Sequence, residues 1–240
     1  MKTEVFADET CAAQAAAKAI AVEARSAVAD RGRFVMAVSG GRTPWMMLRT
    51  LAEEDLPWEN IHVVQVDERV APPGDKDRNL THLQESLLDH SPIPPEQLHA
   101  MPVESPDLDA AARQYASLLA EIAASPPTLD LVHLGLGPDG HTASLVPGDP
   151  VLNVTAVDVA LTGVYQGRRR MTLTYPIINR ARKIFWLATG GEKVDALVRL
   201  RKGDLTIPAG RISRPQAVIF ADRAAAGVGQ SELSQIREVG

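Results

Sequence analysis

The feature that most constrains the fold of this chain is a set of short runs with no polar face. FVMAVS (Phe34 to Ser39), IHVVQV (Ile61 to Val66), LDLVHLGL (Leu129 to Leu136), KIFWLAT (Lys183 to Thr189) and QAVIFA (Gln216 to Ala221) are brief and rich in β-branched side chains. A strand with one wet face alternates apolar and polar residues, whereas one that is apolar at nearly every position needs cover on both sides, as in a parallel sheet. Between these runs, Ala13, Ala16, Ile20, Ala24 and Ala27 recur at spacings of three and four, as do Leu108, Ala111, Tyr115, Leu118 and Ile122. That is the apolar stripe of an amphipathic helix. Ser105 to Asp107 (SPD) reads as a cap and an early proline for the second of these helices. The alternation predicts a three-layer, Rossmann-like α/β domain, a mostly parallel sheet flanked by helices. Such sheets bind ligands beyond the carboxyl ends of their strands.

Length and charge narrow the reading further. With 240 residues, 45% of them apolar, and 17 prolines spread along the chain, a single domain over residues 1–240 is expected. The balance of 25 basic against 30 acidic residues gives a net charge of −5, which argues against a nucleic-acid partner. Glu4, Asp8, Glu9 and Lys18 interrupt the small apolar residues at the N-terminus, so neither a signal sequence nor a membrane anchor is expected. Cys11 is the single cysteine, excluding an intrachain disulfide and pointing to a reducing, cytoplasmic setting. A monomer is the simplest expectation.

Four strand ends carry unusual chemistry. SGGRTP (Ser39 to Pro44) combines two glycines with Thr43-Pro44 at a helix start, a backbone anion site suited to phosphate. It also resembles a nucleophile elbow with Ser39 as the attacking group, but there the helix begins at the serine, and here the glycines delay it. VDERV (Val66 to Val70) sets Asp67, Glu68 and Arg69 at the mouth of the sheet, with Arg78-Asn79 downstream; alone it would read as a surface turn. GLGPDGHTASL has the glycine spacing of a dinucleotide-binding turn in Gly135, Gly137 and Gly140, yet Pro147 and the following Gly-Asp-Pro stop any helix, and no matching βαβ unit follows. The glycines are better explained as freedom that aims Asp139 and His141 into the cleft. GGEK (Gly190 to Lys193) places a cation at a helix start, and with Arg170 of RRRMTLT it supplies side-chain charge for a phosphate. Together these ends outline a small anionic substrate and one histidine available for proton transfer.

SGGRTP, DER with Asn79, GLGPDGHTASLVPG, RMTLT and GGEK also resemble, in order and spacing, the 6-phosphogluconolactonases, relatives of glucosamine-6-phosphate deaminase and, more distantly, ribose-5-phosphate isomerase. The likeness runs from about Phe34 through Ala226, and its GxGxDGHxASL block is the specific part. It implies hydrolysis of 6-phospho-D-glucono-1,5-lactone in the oxidative pentose phosphate pathway, with no cofactor. The deaminases resembled here place a glutamate five residues after the histidine, where this chain has Val146, and an acid at the place of Asp67, which it keeps. Within the lactonase pattern, Val146 stands where Phe is usual and Arg42 where Ser is common.

The resulting expectation makes His141 the general base, Asp139 its orienting carboxylate, and Asp67 with Arg69 the sugar side of the catalytic cleft. Ser39, Gly40, Gly41, Arg42 and Thr43 would hold the phosphate, with Lys193 and Arg170 adding charge. A deaminase-like enzyme and a non-enzymatic sugar-phosphate sensor are the alternatives, although no helix-turn-helix segment precedes Phe34. No metal is expected: His62, His82, His90, His99, His133 and His141 show no HxH or HExxH spacing.

Overall fold

The computed structural model describes residues 1–228. Its strands are β1 (Lys2–Phe6), β2 (Phe34–Val38), β3 (Ile61–Gln65), β4 (Asp67–Arg69), β5 (Leu98–His99), β6 (Leu131–Gly135), β7 (Val159–Leu161), β8 (Arg170–Leu173), β9 (Lys183–Ala188) and β10 (Ala217–Asp222). Between them run the helices α1 (Glu9–Arg31), α2 (Arg42–Ala52), α3 (Asn79–Ser86), α4 (Leu108–Ala123), α5 (Tyr175–Arg180), α6 (Val194–Lys202) and α7 (Arg223–Ala226). Seven strands form one sheet in the order β1-β10-β9-β6-β2-β3-β5, and every neighbouring pair is parallel.

Both faces of that sheet are covered, which is why its strands lack a polar side. Phe34, Met36 and Val38 of β2 belong to a core shared with α1 and α2, while the intervening Val35 and Ala37 belong to a second core with α4 and α6. α1 meets the sheet through small side chains, Ala12, Ala13, Ala16, Ala17, Ala21, Ala24 and Ala27 around Ile20. Asp8 caps its start by accepting the Cys11 N–H, and Gly32, at φ 75°, ends it in the left-handed conformation.

The order of strands fixes where a ligand site can form. From β2 the chain moves outward through β3 to β5, then crosses back to β6 and proceeds through β9 to β10. The loops after the adjacent strands β2 and β6 therefore leave in opposite directions and open a crevice between them. SGGRTP and GLGPDGH are those two loops.

Three features differ from the sequence reading. DER is a strand, not a turn: β4 pairs antiparallel with β8, and β8 with β7, in a second, three-stranded sheet above the crevice. β1, absent from the runs picked out in the sequence, joins the edge of the large sheet with Lys2 and Glu4 in it, because an edge strand can keep polar residues in water. At α4, Asp107 is the cap, accepting the Ala110 N–H, so Pro106 lies before the helix instead of in its first turn. Its buried stripe is Ala111, Ala112, Tyr115, Leu119 and Ala123; Leu118 and Ile122 sit at the margin because the true helical period turns the face away from them. No helix among the described residues is long and apolar enough to cross a membrane. Residues 229–240 of the expected single domain lie outside the described residues.

Candidate active site

The crevice is a cleft of about 300 Å³, at the lower end of the usual range for small-molecule sites. Its floor is the loop after β2. Gly41 caps α2 at φ 129° and ψ 160°, a conformation glycine adopts without strain, and a Cβ on Gly40 would collide with the Asn79 amide. The Trp45 N–H bonds the Gly41 carbonyl at 3.0 Å, so the N–H groups before it have no intrahelical acceptor and face the loop. The Thr43 and Thr189 hydroxyls meet at 2.8 Å on the same wall. Lys193 reaches the cleft from the head of α6, its ammonium 3.6 Å from Glu192. Arg42 lends its backbone to this end, but its side chain is 78% exposed and bonds Glu9 at 2.7 Å.

The opposite wall is the turn after β6. The Gly140 N–H bonds the Gly137 carbonyl and the Gly137 N–H bonds the His141 carbonyl, both at 2.9 Å, closing the turn on itself. Gly140 requires φ 82°, and a Cβ at Gly137 would occupy the space of the His141 ring. Asp139 accepts from the His141 backbone N–H at 3.1 Å and from its Nδ1 at 2.6 Å. Burial works against the Asp139 carboxylate, but these bonds and the facing imidazole outweigh it and hold its pKa below the ordinary value. With the proton on Nδ1 facing Asp139, Nε2 carries a lone pair. The side chain of His141 remains 26% exposed. This is the geometry of an oriented base.

The small sheet supplies the cations. Arg69 of β4 lies directly opposite Arg170 of β8, and Asp67 lies opposite Thr172. Like charges at opposed positions of an antiparallel pair repel. Here Asp67 partly offsets the repulsion, its Oδ2 lying 4.0 Å from the Arg170 guanidinium. That carboxylate is buried and engaged on both oxygens, by the Ser144 hydroxyl at 2.5 Å and the Asn79 amide at 3.3 Å. Burial, set against the attraction of Asp67, pulls the pKa of Arg170 below its usual value. Behind this wall the fully buried Glu68 accepts from the N–H groups of Asn79 and Leu80, both at 2.8 Å, and thereby fixes the start of α3 and the position of Asn79.

The sequence-derived residues converge, with different degrees of engagement. Ser39, Gly40, Gly41, Arg42, Thr43, Asp67, Arg69, His141, Arg170 and Lys193 all line the cleft, while Asp139 stands behind His141. The Ser39 hydroxyl donates to the His133 carbonyl at 3.0 Å, and its N–H meets the His133 ring, whose pKa burial pulls down to about 4. α2 begins at Arg42 and not at the serine, so Ser39 lacks the exposed hydroxyl and strained turn of a nucleophile elbow. Val146 is buried and does not line the cleft. Sequence reasoning missed Thr189, Ser144 and Tyr165. Thr189 directly follows an apolar strand and was legible as a strand-end residue; Ser144 and Tyr165 depend on the unforeseen small sheet.

A parallel sheet with an anion loop and an oriented imidazole at its switch point defines an α/β enzyme for a small anionic substrate. Residues 7–220 match the family described as glucosamine-6-phosphate isomerases/6-phosphogluconolactonase, and the chain belongs to that family. It is 42% identical over 176 residues to a 6-phosphogluconolactonase from Synechocystis, covering 71% of this chain and 72% of that one. Over 237 residues it is 36% identical to the 6-phosphogluconolactonase of Mycobacterium tuberculosis, covering 93% and 96% of the two chains. Among solved structures, a 6-phosphogluconolactonase from Thermotoga maritima superposes with a TM-score of 0.81 at 26% identity, over 92% of this chain and 98% of that one.

Proposed function

We propose that this chain hydrolyses 6-phospho-D-glucono-1,5-lactone to 6-phospho-D-gluconate by general-base activation of water, as a single cytoplasmic domain that acts as a monomer and needs neither metal nor cofactor. The observation that carries the mechanism is the 2.6 Å bond between His141 Nδ1 and Asp139, which leaves Nε2 as the acceptor in a cleft with an anion loop at one end and paired arginines at the other.

The reaction adds water across the bond between C1 and the ring oxygen. His141 Nε2 takes a proton as the water oxygen attacks C1, and the carbonyl oxygen becomes an oxyanion. Arg170 and Arg69 supply the positive field for that charge, in a site whose repulsion an anion relieves. As the intermediate collapses, the ring oxygen leaves and takes the proton from the imidazolium. Asp139 keeps the ring in one tautomer and stabilises its charged form. Asp67, with both oxygens committed, orients Arg170 through Ser144 and does not carry the proton. The phosphate sits on the N–H groups of the Gly40–Thr43 loop with the charge of Lys193. A lactone carbonyl needs only activated water, whereas opening an amino-sugar ring needs a further acid, and Val146 offers none; this favours the lactonase over the deaminase.

The test is to generate the lactone in situ with glucose-6-phosphate dehydrogenase and follow its loss against the spontaneous background. Accelerated loss, with far lower kcat/KM on glucono-1,5-lactone and no ammonia from glucosamine 6-phosphate, is expected. Equal kcat/KM for the two lactones would remove the phosphate assignment, and ammonia release at a comparable turnover would reverse the ranking of the two activities.

A further inference from the structure

The loop joining β7 to β8 ends in a tight hairpin that touches both halves of the chemistry. Tyr165 and Arg168 form an antiparallel bridge, and the two residues between them, Gln166 and Gly167, have φ of 52° and 79°, the left-handed pair of a type I′ turn. The hairpin thus has a defined shape. Arg168 ties it to the facing loop by ion pairs to Asp75 at 3.0 Å and Asp77 at 3.1 Å, and the Asp77 carbonyl accepts from Arg69 at 2.6 Å. From the tip, the Tyr165 ring lies 5.0 Å from the Arg170 guanidinium carbon and 5.9 Å from the His141 ring centroid, inclined at 63° to it. Gln166 Oε1 accepts from Arg170 at 3.1 Å. One aromatic ring therefore borders both the base and the cation assigned to the oxyanion.

We infer that Tyr165 is a positioning residue for the hydrolysis: its ring holds the Arg170 guanidinium, together with Gln166 and Asp67, at a fixed place relative to His141. The inference rests on the lactonase reading. Arg170 needs such a support because Arg69 stands opposite it and repels it, and because its Nε is buried without a partner among the described residues. A guanidinium on an aromatic face is held electrostatically with little loss to water, and the ring also limits the directions in which Arg170 can relax. The Tyr165 hydroxyl makes no hydrogen bond among the described residues, so the ring, not the phenol, carries the effect. A support of this kind acts when charge develops on the oxyanion, so its loss falls on kcat and leaves phosphate binding in place.

The experiment compares the wild-type chain with Tyr165→Phe, Tyr165→Leu, Arg170→Lys and the Tyr165→Leu/Arg170→Lys double variant in the coupled lactone assay, with circular dichroism as the folding control. Phe is expected to stay within about twofold of wild type, while Leu loses about tenfold in kcat with KM within about twofold, the scale of one lost cation–aromatic contact. In the Arg170→Lys background the further loss from Leu should shrink to about twofold or less, because the geometry it protects is already gone. An active wild type combined with any of three results overturns this inference alone: undiminished kcat in Tyr165→Leu, a Phe variant as impaired as Leu, or losses that simply multiply. A wild-type chain that does not accelerate lactone loss overturns the functional reading, and this inference with it. If Tyr165→Leu does not fold, Gln166→Ala in both Arg170 backgrounds takes its place, with the same split between kcat and KM expected and its absence overturning the inference.

Discussion

At the α2 end of the cleft the groups proposed to hold the phosphate are backbone N–H donors, fixed by Gly40, Gly41 and the start of a helix, together with the Lys193 ammonium; at the other end stand the side chains of Arg69, Arg170 and His141, the last two held by further side chains and Arg69 by the Asp77 carbonyl. Apart from Lys193 and Thr189, the first end is assembled from one continuous stretch of six residues. The second draws on β4, β8, the turn after β6 and the tip of a hairpin. A backbone site costs no side-chain entropy to order and binds any tetrahedral anion that fits. A side-chain site can be aimed at charge that exists only in the transition state, but only if a second layer of contacts holds it. On the proposed roles binding and chemistry are separable: changes at the α2 end should read out in KM, changes at the small-sheet end in kcat.

Short of changing His141 itself, the largest expected effect comes from Gly137→Ala, which adds one methyl where the His141 ring lies. The imidazole must move, and since misplacing a catalytic group costs on the order of 10²-fold in rate, kcat should fall at least that far with KM nearly unchanged. A folded Gly137→Ala enzyme with normal kcat would break the link between this turn and the base. Next, Lys193→Ala should raise KM for the phospholactone about tenfold and leave kcat within about twofold, as expected for one charge-assisted contact to a phosphate. A loss confined to kcat would erase the distinction between the two ends. The smallest effect concerns Glu9, whose carboxylate lies beside the anion loop and holds Arg42 at 2.7 Å. Glu9→Gln should lower KM by about twofold, within the range of an exposed ion pair, by freeing the Arg42 side chain and removing a repelling charge. A rise in KM would show instead that Glu9 supports the loop.

The same contrast explains what the sequence disclosed. The five central strands were legible because double-sided burial leaves no polar face in FVMAVS or KIFWLAT, whose polar residues stand only at the run ends, and the anion loop was legible because glycine spacing records backbone geometry directly. Asp139 beside His141 was legible too, the pair being two residues apart in one turn. The small sheet was not. Its strands have three or four residues, too few to show a period, and β4 consists wholly of charged residues while β8 begins at the last residue of the basic run RRR. Without that sheet, nothing placed Arg69 opposite Arg170, Ser144 against Asp67 or Tyr165 beside His141. Those contacts join residues far apart in the chain, Ser144 and Asp67 being 77 positions apart, and depend on tertiary pairing that no local pattern encodes. The residues 229–240 stand outside the comparison.

The central claim is that His141 is the base and that the rest of the cleft serves it. His141→Asn retains approximate size and polarity but cannot carry a proton near neutral pH, and a partly exposed residue in a glycine-rich turn has little packing to lose. Steady-state kinetics on phospholactone generated in situ, with circular dichroism confirming the fold, should show kcat reduced by about 10²–10⁴-fold, the usual contribution of a general base, and KM within about threefold of wild type. A folded His141→Asn variant that turns over at near the wild-type kcat would contradict the account.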